Sequence, residues 1–402
     1  MHKLILLFKL IIKAKFSFNS PKENDLVIFD NVSENELKKL IVNYKTFILR
    51  VRSEHVNLIY LSPKILLRIF INIFKGNLWT VYLVSLIEII KPKIVVTFID
   101  NSLKFYDVAR LLEHKIKFIA IQNAARYDLK ESLTLYNLKK ISKDINKKIY
   151  IPEFLCFGDY EKDLYKEVGG TVKKFSPIGS VRLANFLSYI KDKKNSSEKY
   201  KSDICLISTT ATGADKKFGD NSIEAGIGNV SKYTVKFCKK HNKKLIFAIK
   251  RDMNINPAGY KIEMEFHKKY LKEDFEFAEK HILYRDAKNY SSYQAMFNSK
   301  VTVSAHSTIL REKMCLGGKA LSCNFTNSNM YDFPINGICF LKKCTFEEFE
   351  IRLLEILKIS NEDYFSKINN KSSYVMAFNK NISTIDIIKE KFKSLGLVQK
   401  TN

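Results

Sequence analysis

Short apolar runs, each closed by polar or proline residues, recur along the first half of the chain: DLVIFD (25–30), TFILRV (46–51), VNLIYL (56–61), KIVVTFID (93–100), KFIAIQN (117–123) and EFLCFG (153–158). Continuous rather than alternating apolar runs of this length read as strands buried on both faces, the pattern of parallel sheet. Helical spacing fills the gaps near 33–43, 63–90 and 103–114. After SYIKDKKNSSEKYKSD (187–202), where the apolar pattern gives way to charge and Ser, a second series begins. Its strands are read at 203–209, 243–250, 281–285, 300–305 and 319–323, with helices near 229–241, 260–279, 290–298, 308–316 and 345–357. Alternating strands and helices predict an α/β fold of two doubly wound, Rossmann-like domains facing a cleft. The boundaries read as a basic apolar segment (1–18), a first domain (19–186), a linker (187–202), a second domain (203–375) and a tail (376–402) whose helix near 384–395 crosses back to the first domain.

At 402 residues the chain exceeds one usual domain, in keeping with this division. Its 68 Lys and Arg outweigh 42 Asp and Glu, giving +26, and only ten of the cations are Arg. Arg is the side chain suited to bidentate base and phosphate readout, so a Lys-dominated excess argues against a sequence reader of DNA and toward an anionic lipid or glycan surface. The seven Cys form no CxxC pair and the seven His no HExxH, so reduced core thiols and no metal site are expected. MHKLILLFKLIIKAKFSF (1–18) is apolar but broken by Lys3, Lys9, Lys13 and Lys15. That predicts neither a span nor a cleaved leader but a basic interfacial segment peripheral to a membrane, with a helix packed on its own domain as the alternative.

In open α/β sheets ligands sit beyond the carboxyl ends of the strands, which selects the residues to weigh. KIVVTFID ends in Asp100 and Asn101; KFIAIQN ends in Gln122 and Asn123, with Arg126 close behind. Asp100 is the candidate general base for an acceptor hydroxyl, and Asn101, Gln122, Asn123 and Arg126 are candidate acceptor-binding groups. Glu161, Ser180 and Arg182 follow turns near the domain junction. In the second domain a polar loop containing Gly213, Gly219, Gly226 and Gly228 suggests either a backbone approach to phosphate or a surface loop, and Lys250 and Arg251 end the next strand.

The richest stretch is VTVSAHSTILREKMCLGGKALSC (301–323), read as strand, turn, helix and strand. Ser307 and Thr308 stand where a helix begins, so hydroxyls and free N–H groups form an anion site. Glu312, one turn further on, is placed to accept from a ribose diol, and His306 precedes the turn. With Lys250 and Arg251 opposing leaving-group charge, these residues form a candidate donor site for a nucleotide-linked sugar, with no metal and no other cofactor expected.

The segments KPKIVVTFIDNSLKFYDVARLLEHKIKFIAIQNAAR (91–126), CFGDYEKDLYKEVGG with PIGSVRLANF (156–186), and VTVSAHSTILREKMCLGGKALSCNF (301–325) resemble bacterial surface carbohydrate biosynthesis proteins, glycosyltransferases of O-antigen and capsule loci. Ala124 stands where that pattern has Gly. The Ser-Thr…Glu helix is also similar to those of Kdo- and sialic-acid-type transferases, which suggests a CMP-linked donor, with UDP the other candidate. The resemblance implies a GT-B fold and transfer of a sugar from a nucleotide-sugar donor to a surface polysaccharide or lipid-linked acceptor. Two other readings stand beside it: a nucleotide-sugar epimerase or hydrolase using the same donor site, and a non-catalytic scaffold of polysaccharide assembly. Nucleic acid is not an expected partner.

Overall fold

The computed structural model describes residues 14–32, 34–52, 55–126, 148–192, 201–211 and 222–399. The strands of the first half are β1 (Lys15–Ser17), β2 (Leu26–Phe29), β3 (Thr46–Leu49), β4 (Leu58–Tyr60), β5 (Ile94–Thr97), β6 (Lys117–Ile121), β7 (Tyr150–Cys156) and β8 (Thr171–Pro177). Six of them form one sheet in the order β3-β2-β5-β6-β7-β8, all parallel. Alternate residues of β2 show why it is continuously apolar: Val27 and Phe29 join the cluster on one face, Leu26 and Ile28 the cluster on the other. The expected strand at 56–61 is different. As β4 it leaves the main sheet and pairs only with β1, Lys15 opposite Leu58.

The single helix expected over 63–90 is two, Pro63–Asn72 and Leu78–Ile90, separated by a short 3-10 turn, Ile73–Lys75, and Gly76. Asn77 restarts the helix by accepting from the Thr80 N–H at 3.0 Å. Leu78–Ile90 is apolar nearly all round because it is buried nearly all round. No helix among the described residues is long and apolar enough to cross a membrane.

The second half contributes β9 (Ser202–Ile207), β10 (Leu245–Ala248), β11 (Ile282–Leu283), β12 (Ser299–Ser304), β13 (Lys319–Asn324) and β14 (Phe340–Lys342). They form a parallel sheet ordered β11-β10-β9-β12-β13-β14. Numbered within the domain this is 3-2-1-4-5-6, the doubly wound order with its switch point between β9 and β12. The polar loop expected before residue 231 is partly helix: Ser222–Lys240 contains Gly226 and Gly228. A Cβ on either would meet the Phe325 carbonyl oxygen at 2.6 Å or the Tyr270 ring at 2.3 Å, so these glycines permit close packing of the helix. Helix Val181–Asp192 runs into the stretch read as linker, whose residues 193–200 lie outside the described ones, as do residues 1–13 of the basic apolar segment.

The chain returns to the first domain through residues 374–384. Ala377 donates its N–H to the Phe157 carbonyl at 2.7 Å, and the Thr384 hydroxyl donates to the Ile178 carbonyl at 2.9 Å. Gly158 and Gly179 admit this crossing: a Cβ on Gly158 would stand 2.3 Å from the Tyr374 oxygen, and one on Gly179 2.2 Å from the Ala377 oxygen. Gly179 also needs φ +82°, which glycine adopts without a steric penalty. Helix Thr384–Ser394 then buries Ile388 and Phe392 with Leu26 and Ile28 of the first sheet.

Candidate active site at the domain junction

The carboxyl ends of β9, β10, β11 and β12 carry Ser208, Lys250, Arg251, Arg285 and His306 into one region of the second domain. Glu263, buried in helix Pro257–Leu271, sets the turn after β10. Its carboxylate accepts the Lys250 N–H at 2.8 Å and the Arg251 N–H at 2.7 Å, and also the Ser208 hydroxyl. His267, one turn along the same helix, lies with Nε2 2.8 Å from the Ser208 oxygen. Because that hydroxyl donates to Glu263, the histidine donates from Nε2, and its buried Nδ1 has no hydrogen-bond partner. Burial holds the His267 imidazole down at about 3.

Three cations meet above this brace. Burial lowers the Lys250 ammonium from its usual range, and Arg251 and then Arg285 lower it further, while Glu263 opposes them. The His306 imidazole is lowered to about 4, by burial first and then by Lys250. Its ring meets Tyr331 edge-on at 5.0 Å. Neighbouring cations thus add to burial in lowering Lys250 and His306, the electrostatic condition under which an anion is taken up. At the switch point Thr209 lies 3.1 Å from Ser304, and Ser304 donates to the Ile207 carbonyl at 3.0 Å, tying the ends of β9 and β12 together.

Helix Thr308–Cys315 differs from the expectation of a helix with Thr308 and Glu312 open to the cleft. Ser307 is its N-cap, accepting from the Ile309 N–H at 3.3 Å. The face carrying residues 308, 311 and 312 is pressed against the first domain. The Ala125 N–H donates to the Thr308 hydroxyl at 2.9 Å. Arg311, fully buried, forms an ion pair of 2.7 Å with the equally buried Glu161 and donates to the Arg126 carbonyl. The Ser180 hydroxyl donates to Glu312 at 2.5 Å and the Tyr293 hydroxyl at 3.0 Å. Glu312 is thus a bridge between domains rather than a surface-exposed ribose acceptor, with only Oε2 lacking a hydrogen-bond partner. Burial raises its carboxyl above the usual range against the pull of Ser180, Tyr293 and Arg182.

The first-domain candidates form a second brace. Asp100 is fully buried at the end of β5. Its Oδ1 accepts Arg126 at 2.8 Å and the Asn123 N–H at 3.3 Å, whereas Oδ2 has no hydrogen-bond partner. Burial raises its carboxyl, and Arg126 opposes that rise. Asn123 also accepts Arg126 through its side chain at 3.2 Å and Arg182 through its carbonyl at 3.0 Å. Asn101, in the turn that follows, is half-buried. Gln122 corrects a second expectation. It is not an open acceptor ligand, because its amide donates to Glu161 and the Ala124 carbonyl, both at 3.0 Å, and its oxygen accepts the Phe157 N–H at 2.7 Å. Of the sequence candidates, Asp100, Asn123 and Arg126 therefore come together, as do Lys250, Arg251 and His306. Thr308, Glu312 and Gln122 join the contacts between and beneath them.

Several residues of this junction were not singled out from sequence: Glu263, His267, Arg285, Tyr293 and Arg311. One signal was present. In a chain with only ten Arg, Arg126, Arg182, Arg251, Arg285 and Arg311 all fall in this region. Among the described residues no group of three or more His, Cys, Asp or Glu side chains converges as metal ligands.

Solved structures share this architecture. The UDP-GlcNAc 2-epimerase of Neisseria meningitidis, solved with UDP-GlcNAc bound, matches with a TM-score of 0.51 over 92% of this chain and 99% of its own, at 13% identity. The wall teichoic acid polymerase TagF matches with a TM-score of 0.50 over 98% of this chain and 92% of that one, at 10% identity. At such identities the likeness establishes the fold, which is GT-B: two Rossmann-like domains of parallel sheet. No family model and no curated protein sequence matches the chain, so the resemblance to surface carbohydrate proteins rests on the motifs quoted above.

Proposed function

We propose that the protein is a glycosyltransferase that moves a sugar from a nucleotide-sugar donor to a surface polysaccharide or lipid-linked acceptor on the cytoplasmic face of a membrane. The observation that carries this reading is the cation group Lys250, Arg251 and Arg285, held with His306 at the strand ends of the second sheet of a GT-B fold. The donor phosphate lies against Lys250 and Arg251, with the start of helix Thr308–Cys315 adding its N-terminal dipole. Asp100 then takes the acceptor proton through Oδ2 as the acceptor oxygen bonds the anomeric carbon and the nucleotide phosphate leaves. Asn101, Asn123 and Arg126 orient the acceptor. Fixed cations stabilise the leaving phosphate, so turnover is expected to persist in chelator.

The epimerase reading keeps one observation in its favour: the match to the Neisseria enzyme spans 99% of that chain. The test is incubation with CMP-, UDP-, GDP- and dTDP-sugars, with and without lipid-linked and oligosaccharide acceptors, followed by NMR of the products. Transfer that requires acceptor supports the proposal. A changed sugar configuration, or free sugar released without acceptor, selects the epimerase or hydrolase instead.

A further inference from the structure

Helix Pro63–Asn72 is inside out. Its inward face offers little, Ile65 and Asn72 being the buried residues. Asn72 is spent on Ser85 at 3.2 Å and Glu88 at 3.0 Å, which anchors the helix to helix Leu78–Ile90. The apolar side chains Leu66, Leu67, Phe70, Ile71, Phe74 and Leu78 instead face solvent, with Phe74 98% exposed, Phe70 73% and Leu78 72%. Scattered exposed apolar residues are ordinary, but a run of this density marks a surface that meets something apolar. The β1–β4 ribbon leads into the same helix and adds exposed Phe16 and Phe18.

Charge identifies what covers it. Residues 55–87 contain Lys64, Arg68 and Lys75 and no Asp or Glu; Arg68 pairs with Glu88 at 3.8 Å, which leaves Lys64 and Lys75 as the main cations of the rim. In sequence, residues 1–13 are apolar with Lys3, Lys9 and Lys13 and again no acid. A cationic rim around exposed aromatic and aliphatic side chains matches a bilayer interface with anionic headgroups, where Lys and Arg meet phosphate and the apolar side chains enter the acyl boundary. The surface also adjoins the active-site edge. Trp79, next to Leu78, has the Lys104 ammonium 5.7 Å from its ring centroid, and Lys104 lies two residues beyond Ser102, which caps the helix after Asp100.

We propose that helix Pro63–Asn72 and the turn through Phe74 and Leu78 dock on an anionic lipid bilayer and bring the first-domain sheet edge to the membrane surface. On the transferase reading, which this last step rests on, the acceptor is a lipid-linked glycan presented at that edge. Docking itself does not depend on the donor.

The test is co-sedimentation of the full chain with phosphatidylcholine vesicles containing 30% phosphatidylglycerol, beside pure phosphatidylcholine vesicles. The wild type is expected to bind the anionic vesicles preferentially. The double variant Phe70→Glu, Phe74→Glu is expected to bind at least about tenfold more weakly, the equivalent of one large apolar side chain left unburied. Its unfolding midpoint and nucleotide binding are expected to stay at wild-type values, because both side chains are solvent-facing and remote from the donor cations. Binding within twofold of wild type would overturn the proposal. So would a lowered unfolding midpoint, meaning that residues 1–13 or another part of the chain covers this face, or loss of a vesicle-independent dimer in light scattering, meaning that a second copy does. Failed vesicle binding with intact nucleotide binding refutes this surface alone, whereas lost nucleotide binding in the wild type refutes the functional reading.

Discussion

Replacing Arg311 with Met removes the cation from a pair whose two side chains are both fully buried and 2.7 Å apart. Breaking a buried pair from one side costs about 3–5 kcal/mol, because the remaining charge stays desolvated. Glu161 keeps two donors, the Gln122 amide at 3.0 Å and the Gly158 N–H at 3.1 Å, so the lower figure, about 3 kcal/mol, is expected. Burial already raises the Glu161 carboxyl above the usual range, with Arg311 as the main opposing influence. Losing Arg311 raises it further. A carboxyl that binds its proton more tightly when folded loses stability as pH rises, so the variant is expected to recover part of its deficit between pH 7 and pH 5. Equilibrium urea unfolding at both pH values measures this. The pair Arg311→Met, Glu161→Gln should cost less than the sum of the single changes, since no buried charge is left behind. A deficit below about 1 kcal/mol in Arg311→Met, with additive singles and no recovery at pH 5, would refute the argument that this pair clamps the domains.

Three further outcomes follow from the same geometry. The His267 imidazole ionises near 3 when folded but near 6.5 when unfolded, so its contribution is present above pH 6.5 and lost as pH falls, about 2 kcal/mol by pH 5; His267→Gln should flatten the stability–pH profile by that amount in thermal or urea unfolding. Gly179→Ala sets a Cβ 2.2 Å from the Ala377 oxygen at a positive φ, and should cost at least about 2 kcal/mol in unfolding experiments while Gly317→Ala, with open space around it, costs only the backbone penalty of about 1 kcal/mol. Glu263→Gln offers a single acceptor oxygen to two backbone N–H groups, so the turn carrying Lys250 and Arg251 should loosen and donor affinity fall about tenfold by calorimetry.

The main-sheet strands were largely legible because burial on both faces leaves a continuous apolar run, as in β2, β5 and β6. β8, TVKKFSP, was not, because as an edge strand it is mostly exposed and carries no such run. The split of 63–90 was hidden because the second helix is apolar throughout and continues the apolar run of the first, whose apolar side faces outward rather than toward the core. Ser307 was legible as a cap, since capping is local chemistry. The partners of Thr308, Arg311 and Glu312 were not, because Ala125, Glu161 and Ser180 lie more than a hundred residues away in sequence. Lys250 and Arg251 could be placed at a strand end, but the carboxylate that holds their turn sits in the following helix among ordinary-looking polar residues.

The central claim is that Lys250 and Arg251 hold the phosphate of a nucleotide-sugar donor, and calorimetric titration of the nucleotide selected by the sugar-donor screen tests it most directly. One site is expected in the wild type and affinity about tenfold or more weaker in Lys250→Ala and in Arg251→Ala, the value of a charge-assisted hydrogen bond, with both variants unfolding at the wild-type midpoint. Unchanged affinity in both variants would contradict it.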